Sequence, residues 1–338
     1  MSKKVSIYDV AKRCHVSAAT VSYVINGKKK VSSKTRKNVL NAIEELGFVM
    51  DSSARALSTG KSHLIGLCLP LDDASIAFSQ NPFYAELLGG METGIAHFDY
   101  DIVIGYQKNN TNFKDWVRSR GLDGIVMLGR YPESVYKDIK KLSIPTVLID
   151  VYEEYEKDFY NIRTNDELGM YKATKYLIDN GHKLIGFAGS KSRTLVDLSR
   201  FHGYERAMKE ANLPFDDEMI YDAYATFDEG VRVASEIINR NNVTSIVCTG
   251  DIMAIGIIRK FEELKKQIPE DLSIVGFDDI QIAQYIYPGI TTIRQNIRLK
   301  GELASQAILE DLRNKKNNLK TITLEPTLVI RESVKKVN

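Results

Sequence analysis

Two short apolar-periodic stretches separated by a tight turn, within residues 6–47, constrain this chain more than anything else in it. Ser6 is placed to cap a first helix, with Asp9 three residues on to complete a capping-box pair. That helix is expected to run to about Cys14, burying Ile7, Val10 and Ala11. A turn at His15-Val16 follows, and Ser17 is placed to cap a second helix. On it Val21, Val24 and Ile25 share one face at i, i+3, i+4 spacing; Ala19, Ser22, Tyr23 and Asn26 lie opposite, with Ala18 flanking. A third helix is expected from near Ser33 through Val39, Leu40, Ile43 and Leu46 to a stop at Gly47. Any three-helix bundle needs such an apolar face. A short second helix with a small, polar outer side, followed at once by Lys28-Lys29-Lys30, goes further and suits the major groove of DNA. The reading is a helix-turn-helix.

Charge distribution supports this. The chain carries a net charge of +2 over 338 residues, but residues 1–60 hold 11 Lys/Arg against 4 Asp/Glu (+7) and the rest 35 against 40 (−5). A basic head on an acidic body is the asymmetry expected when only the head meets a polyanion. With 43% hydrophobic and 27% charged residues the chain has the composition of a globular protein, and its length leaves room for two or three domains. No apolar run approaches the roughly 20 residues of a membrane span. Met1-Ser2-Lys3-Lys4 leads into a polar amphipathic segment and not an apolar signal core, so a cytoplasmic protein with no membrane partner is expected. Cys14, Cys68 and Cys248 show no CxxC spacing, and Cys68 and Cys248 sit in apolar runs as small core residues. The five histidines form no metal-spaced cluster; neither a metal nor a cofactor is expected.

From Leu64 onward short apolar strands alternate with amphipathic helical stretches: Leu64–Leu69, Ile102–Gly105, Gly124–Leu128, Thr146–Ile149, Leu184–Ala188, Ile246–Thr249 and Ile274–Phe277. The alternation implies an α/β body with parallel sheets covered by helices on both faces. Ligands bind such sheets at strand carboxyl ends. There the chain places Asp72-Asp73 and then Phe78 to Phe83 after the first strand, Asp150, Asp251, and Asp278-Asp279. Carboxylates and aromatic rings are the equipment of a sugar site, since acids pair with vicinal hydroxyls and a ring, here Phe78 or Phe83, covers the C–H face. Asp251 and Asp279 serve equally well as helix caps, and Phe83 as a core residue of a helix over 83–98. No GxSxG, GxxxxGK[ST], HExxH or post-strand GxGxxG occurs, so an enzyme is not expected.

These residues carry a specific resemblance. YDVA, VSxxTVSxVIN, VSxKTRxxVxxAIxELGF, the short ARAL segment and the final LVIRES resemble the LacI/GalR family of bacterial transcription regulators across essentially the whole chain. The resemblance implies a helix-turn-helix head (1–49), a hinge (50–61) and a two-lobed body like periplasmic binding proteins (62–338). Lobe one would take about 62–161 and 293–322, and lobe two about 162–292 and 323–338. By position it places Ala18, Ala19 and Tyr23 on bases, and Tyr8, Ser17, Thr20, Ser22, Asn26, Ser32 and Thr35 on phosphates. Many members carry Arg where Tyr23 stands; Tyr23 offers one hydroxyl and a ring face and cannot grip guanine through two bonds, so a different half-site is expected. Leu57 matches the residue that family members insert as a paired minor-groove wedge, though such a leucine also suits packing on the body.

The family's effector positions land on Asp150, Arg200, Tyr224, Asp278 and Gln295, while Gly250 departs from the Asn of some relatives. The partners implied are operator DNA, a small-molecule effector and a second copy of the chain, a homodimer formed through the helix containing Leu87 and Met91. A tetramer is not expected, because no leucine-heptad tail follows the last strand. The function implied is an effector-controlled repressor of carbohydrate-utilisation genes, released by a sugar. A purine-responsive or phosphocarrier-responsive regulator of the same fold is the alternative, and a sugar-binding transport protein a more distant one.

Overall fold

Ser6 turns the chain into its first helix in the computed structural model, which describes residues 5–25, 31–48, 60–69, 81–106, 113–152, 157–314 and 320–337. The Ser6 backbone N–H donates to Asp9 Oδ2 (2.8 Å) and the Asp9 N–H donates back to Ser6 Oγ (3.4 Å), a reciprocal capping box opening α1 (Ile7–Cys14). His15 ends α1 in the left-handed region. Ser17 Oγ then accepts from the Thr20 N–H (3.2 Å) at the start of α2 (Ala18–Ile25). Ser32 Oγ accepts from the Thr35 N–H (3.2 Å) ahead of α3 (Ser33–Leu46), which Gly47 closes at φ +60°. Val10, Ala11, Cys14, Val21, Val24, Val39 and Ala42 form the buried core of this bundle, with Ile7, Ile25, Ile43 and Leu46 packed partly buried around it. Leu40 is 49% exposed. The buried face of α3 runs 39, 42, 43, 46, and Leu40 falls one residue off that stripe.

The chain divides into two compact units, Met1–His63 with Gly121–Asp123 and Leu64–Arg120 with Gly124–Asn338. In the larger, β1 (Leu64–Leu69), α4 (Pro82–Ile95), β2 (Asp101–Tyr106), α5 (Phe113–Arg120), β3 (Gly124–Leu128), α6 (Glu133–Leu142), β4 (Thr146–Ile149) and β5 (Tyr160–Thr164) alternate. Then follow α7 (Asp166–Asp179), β6 (Ile185–Ala188), α8 (Leu195–Glu210), β7 (Ile220–Tyr221), α9 (Phe227–Arg240), β8 (Ser245–Cys248), α10 (Asp251–Glu263), β9 (Ser273–Asp278), β10 (Thr291–Arg294), α11 (Ile297–Asn314), β11 (Thr321–Leu324) and β12 (Thr327–Val329). One sheet has the order β11-β5-β4-β3-β1-β2, all parallel; the other is β12-β10-β9-β8-β6-β7, parallel except for β12 against β10. β1, β3, β4, β6, β8 and β9 are buried along almost their whole length, as strands covered on both faces must be. The chain crosses between sheets after β5, after β10 and after β11, slightly beyond 161, 292 and 322; β5 and β10 carry polar ends (Arg163-Thr164, Arg294) past their apolar centres.

Helix pairs cover the sheets at backbone contact. A Cβ on Gly301 of α11 would lie 2.2 Å from the Leu87 carbonyl of α4, and one on Gly90 would lie 2.0 Å from the Arg298 carbonyl. α4 thereby turns Leu87 and Met91 wholly into its own protomer's core and leaves Ala85, Glu92 and Thr93 exposed on its outer face. Cys14, Cys68 and Cys248 are buried free thiols, and burial pushes the Cys68 thiol up to about 12. Among the described residues no helix is long and apolar enough to cross a membrane, and no cluster of potential metal ligands occurs. Gly301→Val forces α4 and α11 apart and is expected to destabilise the body by about 1–3 kcal/mol, read from the midpoint of urea unfolding.

Candidate functional site

The head presents a continuous set of small and hydroxyl-bearing side chains. Val21 and Val24 of α2 point into the bundle, leaving Ala19 and Tyr23 exposed and Ala18, Thr20 and Ser22 partly so. Tyr23 is 40% and Tyr8 74% exposed, high for aromatic residues with no core to fill. Ser17 and Thr20 pair their hydroxyls (2.9 Å) at the N-terminus of α2, and Ser32 and Thr35 do the same (2.8 Å) at the N-terminus of α3. Each is a hydroxyl pair at a positive helix end, where backbone N–H groups favour phosphate. Asn26, Leu57 and Lys28-Lys29-Lys30 lie outside the described residues.

A second polar constellation joins the carboxyl ends of the two sheets. Asp150 follows β4 and is held by Lys300 of α11, whose ammonium is fully buried and 2.7 Å from both Asp150 oxygens. The same ammonium donates to Gln295 Oε1 (2.7 Å), which also accepts from the Thr164 hydroxyl at the end of β5 (3.2 Å). With its oxygen so engaged, Gln295 must turn its amide nitrogen outward, and Nε2 donates to Oδ1 of Asp278, the last residue of β9. Arg200 of α8 donates through Nε to Asp166 Oδ1 (2.8 Å) and through Nη1 to the Thr249 carbonyl, with its guanidinium 3.9 Å from the centre of the Phe277 ring. The Tyr152 hydroxyl donates to the other Asp166 oxygen (2.5 Å).

Burial sets the electrostatics. It pushes the Asp278 carboxyl up to about 7 against the lowering pull of Arg200, and raises Asp150 against that of Lys300. Arg200 loses some basicity to burial but gains more from Asp166 and Asp278, and stays charged. Burial, then the Asp166 charge, raises the Tyr152 phenol, which remains a donor. Asp150 and Asp278 also leave their strands at φ +55° and +113°, conformations that cost a non-glycine residue about 1–3 kcal/mol and concentrate at functional sites. Asp251 is different: fully buried, it accepts from the Thr292 hydroxyl (2.5 Å) and the Ile280 N–H (3.0 Å), tying α10 to β10. Asp279 binds Arg294 and Arg331, both at 2.6 Å.

Comparison with known proteins assigns both regions. Residues 6–51 match the profile "Bacterial regulatory proteins, lacI family", and residues 174–334 match "Periplasmic binding protein-like domain". The HTH-type transcriptional repressor PurR of Vibrio vulnificus is 32% identical over 340 residues, 98% of this chain and 99% of that protein. The ribose operon repressor of Haemophilus influenzae is 32% identical over 335 residues, 96% and 97% of the two chains. This chain belongs to the lacI family. It is thus a ligand-responsive, DNA-binding transcription regulator whose relatives are transcriptional repressors. The lac repressor dimer bound to operator and the anti-inducer ONPF shares its fold, with a TM-score of 0.84 at 20% identity over 98% of this chain and 100% of that one.

Of the effector positions inferred for this lacI-family member, the structure brings Asp150, Arg200, Asp278 and Gln295 into one cluster. Tyr224 is 55% exposed, with the Arg193 guanidinium 3.5 Å from its ring centre. Phe83 packs on the core edge-on to Tyr84 (5.5 Å), and its ring centre lies 5.9 Å from the Lys300 ammonium. Phe78 lies outside the described residues. Asp166, Lys300 and Tyr152 were not foreseen. Asp166 follows β5, whose Tyr-Asn-Ile-Arg-Thr lacks an apolar run; recognised as a strand, it would have marked one more strand-end acid. Lys300 is legible as a lysine among Ile297, Gly301, Ala304 and Ile308, the buried stripe of α11.

Because the folded-state pKa of Asp278 is raised, its ionisation weighs against folding. The penalty is absent near pH 4, grows as pH rises and is complete above about 7. Asp278→Asn is therefore expected to raise the melting temperature at pH 8 by about 2–4 °C, the gain shrinking toward pH 4 in a calorimetric pH series.

Proposed function

We propose that this protein is a repressor of carbohydrate-utilisation genes, binding a pseudo-palindromic operator as a homodimer and released by a sugar that binds between the lobes. The observation that carries this reading is the buried polar chain Asp150–Lys300–Gln295–Asp278, which runs from one sheet to the other. A ligand bonded to such a chain acts on the mutual angle of the lobes, and a coupling of only a few kcal/mol suffices for a switch. Asp150, Arg200, Asp278 and Gln295 are the residues assigned to the effector; Tyr224, Phe78 and Phe83 are assigned to its rim. On DNA, Ala18, Ala19 and Tyr23 are assigned to bases. Tyr8, Ser17, Thr20, Ser22, Asn26, Ser32 and Thr35 are assigned to phosphates, and Leu57 to the central kink. The second copy is assigned to the helix containing Leu87 and Met91, through the outer face of that helix, where Ala85, Glu92 and Thr93 are exposed. Such a regulator works in the cytoplasm and catalyses nothing.

The likeness to the ribose operon repressor favours a sugar. A purine is the second reading, because Arg200 and Asp278 side by side offer a donor and an acceptor that a base edge would also match. Thermal stability against a panel of sugars and purines separates the two, since a ligand at about 100 times its dissociation constant adds roughly 2.7 kcal/mol.

Operator selection from a random duplex library should yield one inverted repeat, with binding lost on deleting residues 1–60; absence of any preferred sequence overturns the regulator reading. Arg200→Ala is expected to abolish the effector response while leaving operator affinity within about twofold, as the head is untouched. Leu57→Ala is expected to weaken operator binding by about tenfold or more, through loss of the wedge, with sugar binding unchanged in calorimetry.

A further inference from the structure

Residues 62 and 63 bring the chain to its first strand, and one side chain holds both. They precede the first paired positions of the sheet, Leu64 against Asp101 and Ile65 against Gly124. Their backbone N–H groups go instead to Asp123, in the loop between α5 and β3. Oδ1 accepts from the Ser62 N–H (3.0 Å) and the Ser62 hydroxyl (3.1 Å), and Oδ2 accepts from the His63 N–H (2.9 Å). Three charge-assisted bonds onto one carboxylate fix the orientation of two consecutive residues, where a single bond would let the chain swivel. His63 stands at φ +62°, a left-handed conformation that a non-glycine residue adopts at a cost and keeps where its surroundings enforce it.

The loop that carries Asp123 is itself anchored. Leu122 is buried, and Gly121 turns at φ +60° with the place of its Cβ 3.9 Å from the Ser62 Cβ. Gly121–Asp123 group with the N-terminal unit, Met1–His63, while the chain runs from Asp123 directly into β3. The bend before β1 is thus bonded to the loop before β3 and does not depend on the peptide link alone. The segment likened to the family's hinge, 50–61, ends against this bend.

We infer that Asp123 is a positioning residue for operator recognition: by clamping Ser62 and His63 it sets the direction in which the hinge leaves each protomer, and with it the half-site spacing that the dimer accepts. The inference rests on the reading of the protein as a homodimer on an inverted repeat. One base pair more or less between half-sites displaces a half-site by about 3.4 Å and turns it by roughly 35°. Heads on swivelling tethers follow such a change at little cost, whereas heads leaving a fixed bend do not.

The test uses the full chain and the inverted repeat selected from random duplexes, intact or with one base pair removed from or added to its centre, titrated at one salt concentration. The wild type is expected to bind the selected spacing at least about 30-fold more tightly than either altered one. Asp123→Ala, which removes all three bonds, is expected to bind the selected spacing about tenfold more weakly and to discriminate between spacings by less than about threefold. Asp123→Asn keeps one oxygen for Ser62 but sets an amide NH2 against the His63 N–H; it is expected to fall between, and is read in place of Asp123→Ala should that variant not fold. A substitution that only loosened the fold would lower the active fraction and leave the ratio between spacings unchanged. A folded, dimeric variant that keeps the wild-type ratio therefore overturns the inference, as does a wild type that selects a repeat but is indifferent to its spacing. A wild type that selects no repeat at all instead overturns the reading of a dimeric regulator, a failure distinguishable from the first.

Discussion

The buried polar cluster that joins the two sheets depends on how one amide, that of Gln295, is oriented. Its oxygen is pinned by a buried ammonium and a threonine hydroxyl, so its nitrogen has nowhere to point but toward Asp278. Lys300 and Asp150 belong to one lobe, Asp278 to the other, and Gln295 sits in the segment that crosses between them. A buried lysine is tolerated only when paired and hydrogen-bonded, and Lys300 is both. The two lobes are thus linked by directional bonds, which change discretely when an element shifts, and not only by apolar contact, which slides.

The head rests on a different economy. Its bundle is too small to bury much, with Val10, Val21 and Val39 at its centre, and it relies on local devices: a capping box at Ser6 and Asp9, serine caps at Ser17 and Ser32, a left-handed stop at Gly47. The serines that open α2 and α3 stand at the helix ends best suited to phosphate, so the phosphate contacts proposed for them would draw on the hydroxyls that cap the helices. The body buys lobe rigidity in another way, through glycines such as Gly90 and Gly301 that let paired helices touch backbone to backbone.

Legibility in the sequence followed the range of the interactions. The head was legible almost residue by residue, because caps and i, i+3, i+4 faces involve neighbours in the chain; which of the adjacent Val39 and Leu40 is buried was not, since only packing of α3 against α1 and α2 ranks them. In the body the apolar strands were visible, but Tyr160–Thr164, Ile220–Tyr221, Thr291–Arg294 and Thr321–Leu324 were not. Buried threonines such as Thr292, satisfied by Asp251 from another strand's helix, read as surface residues until that partner is known. Strand-end acids were legible as a class, and Asp150, Arg200, Asp278 and Gln295 were named through the family likeness, which the comparisons uphold for the chain as a whole.

What the sequence determined by itself was the architecture: a capped helix-turn-helix carrying positive charge, followed by alternating strands and helices that build mainly parallel, doubly covered sheets. Periodicity, capping and charge are local properties, and they survive in one dimension. What only the tertiary structure decided was pairing. Arg200 with Asp166, Lys300 with Asp150, and Gln295 between the lobes are 34, 150 and 17 residues from the partners that define them. Which acid neutralises which cation depends on side chains meeting in a buried space that the folded chain creates, and no spacing along the sequence encodes it.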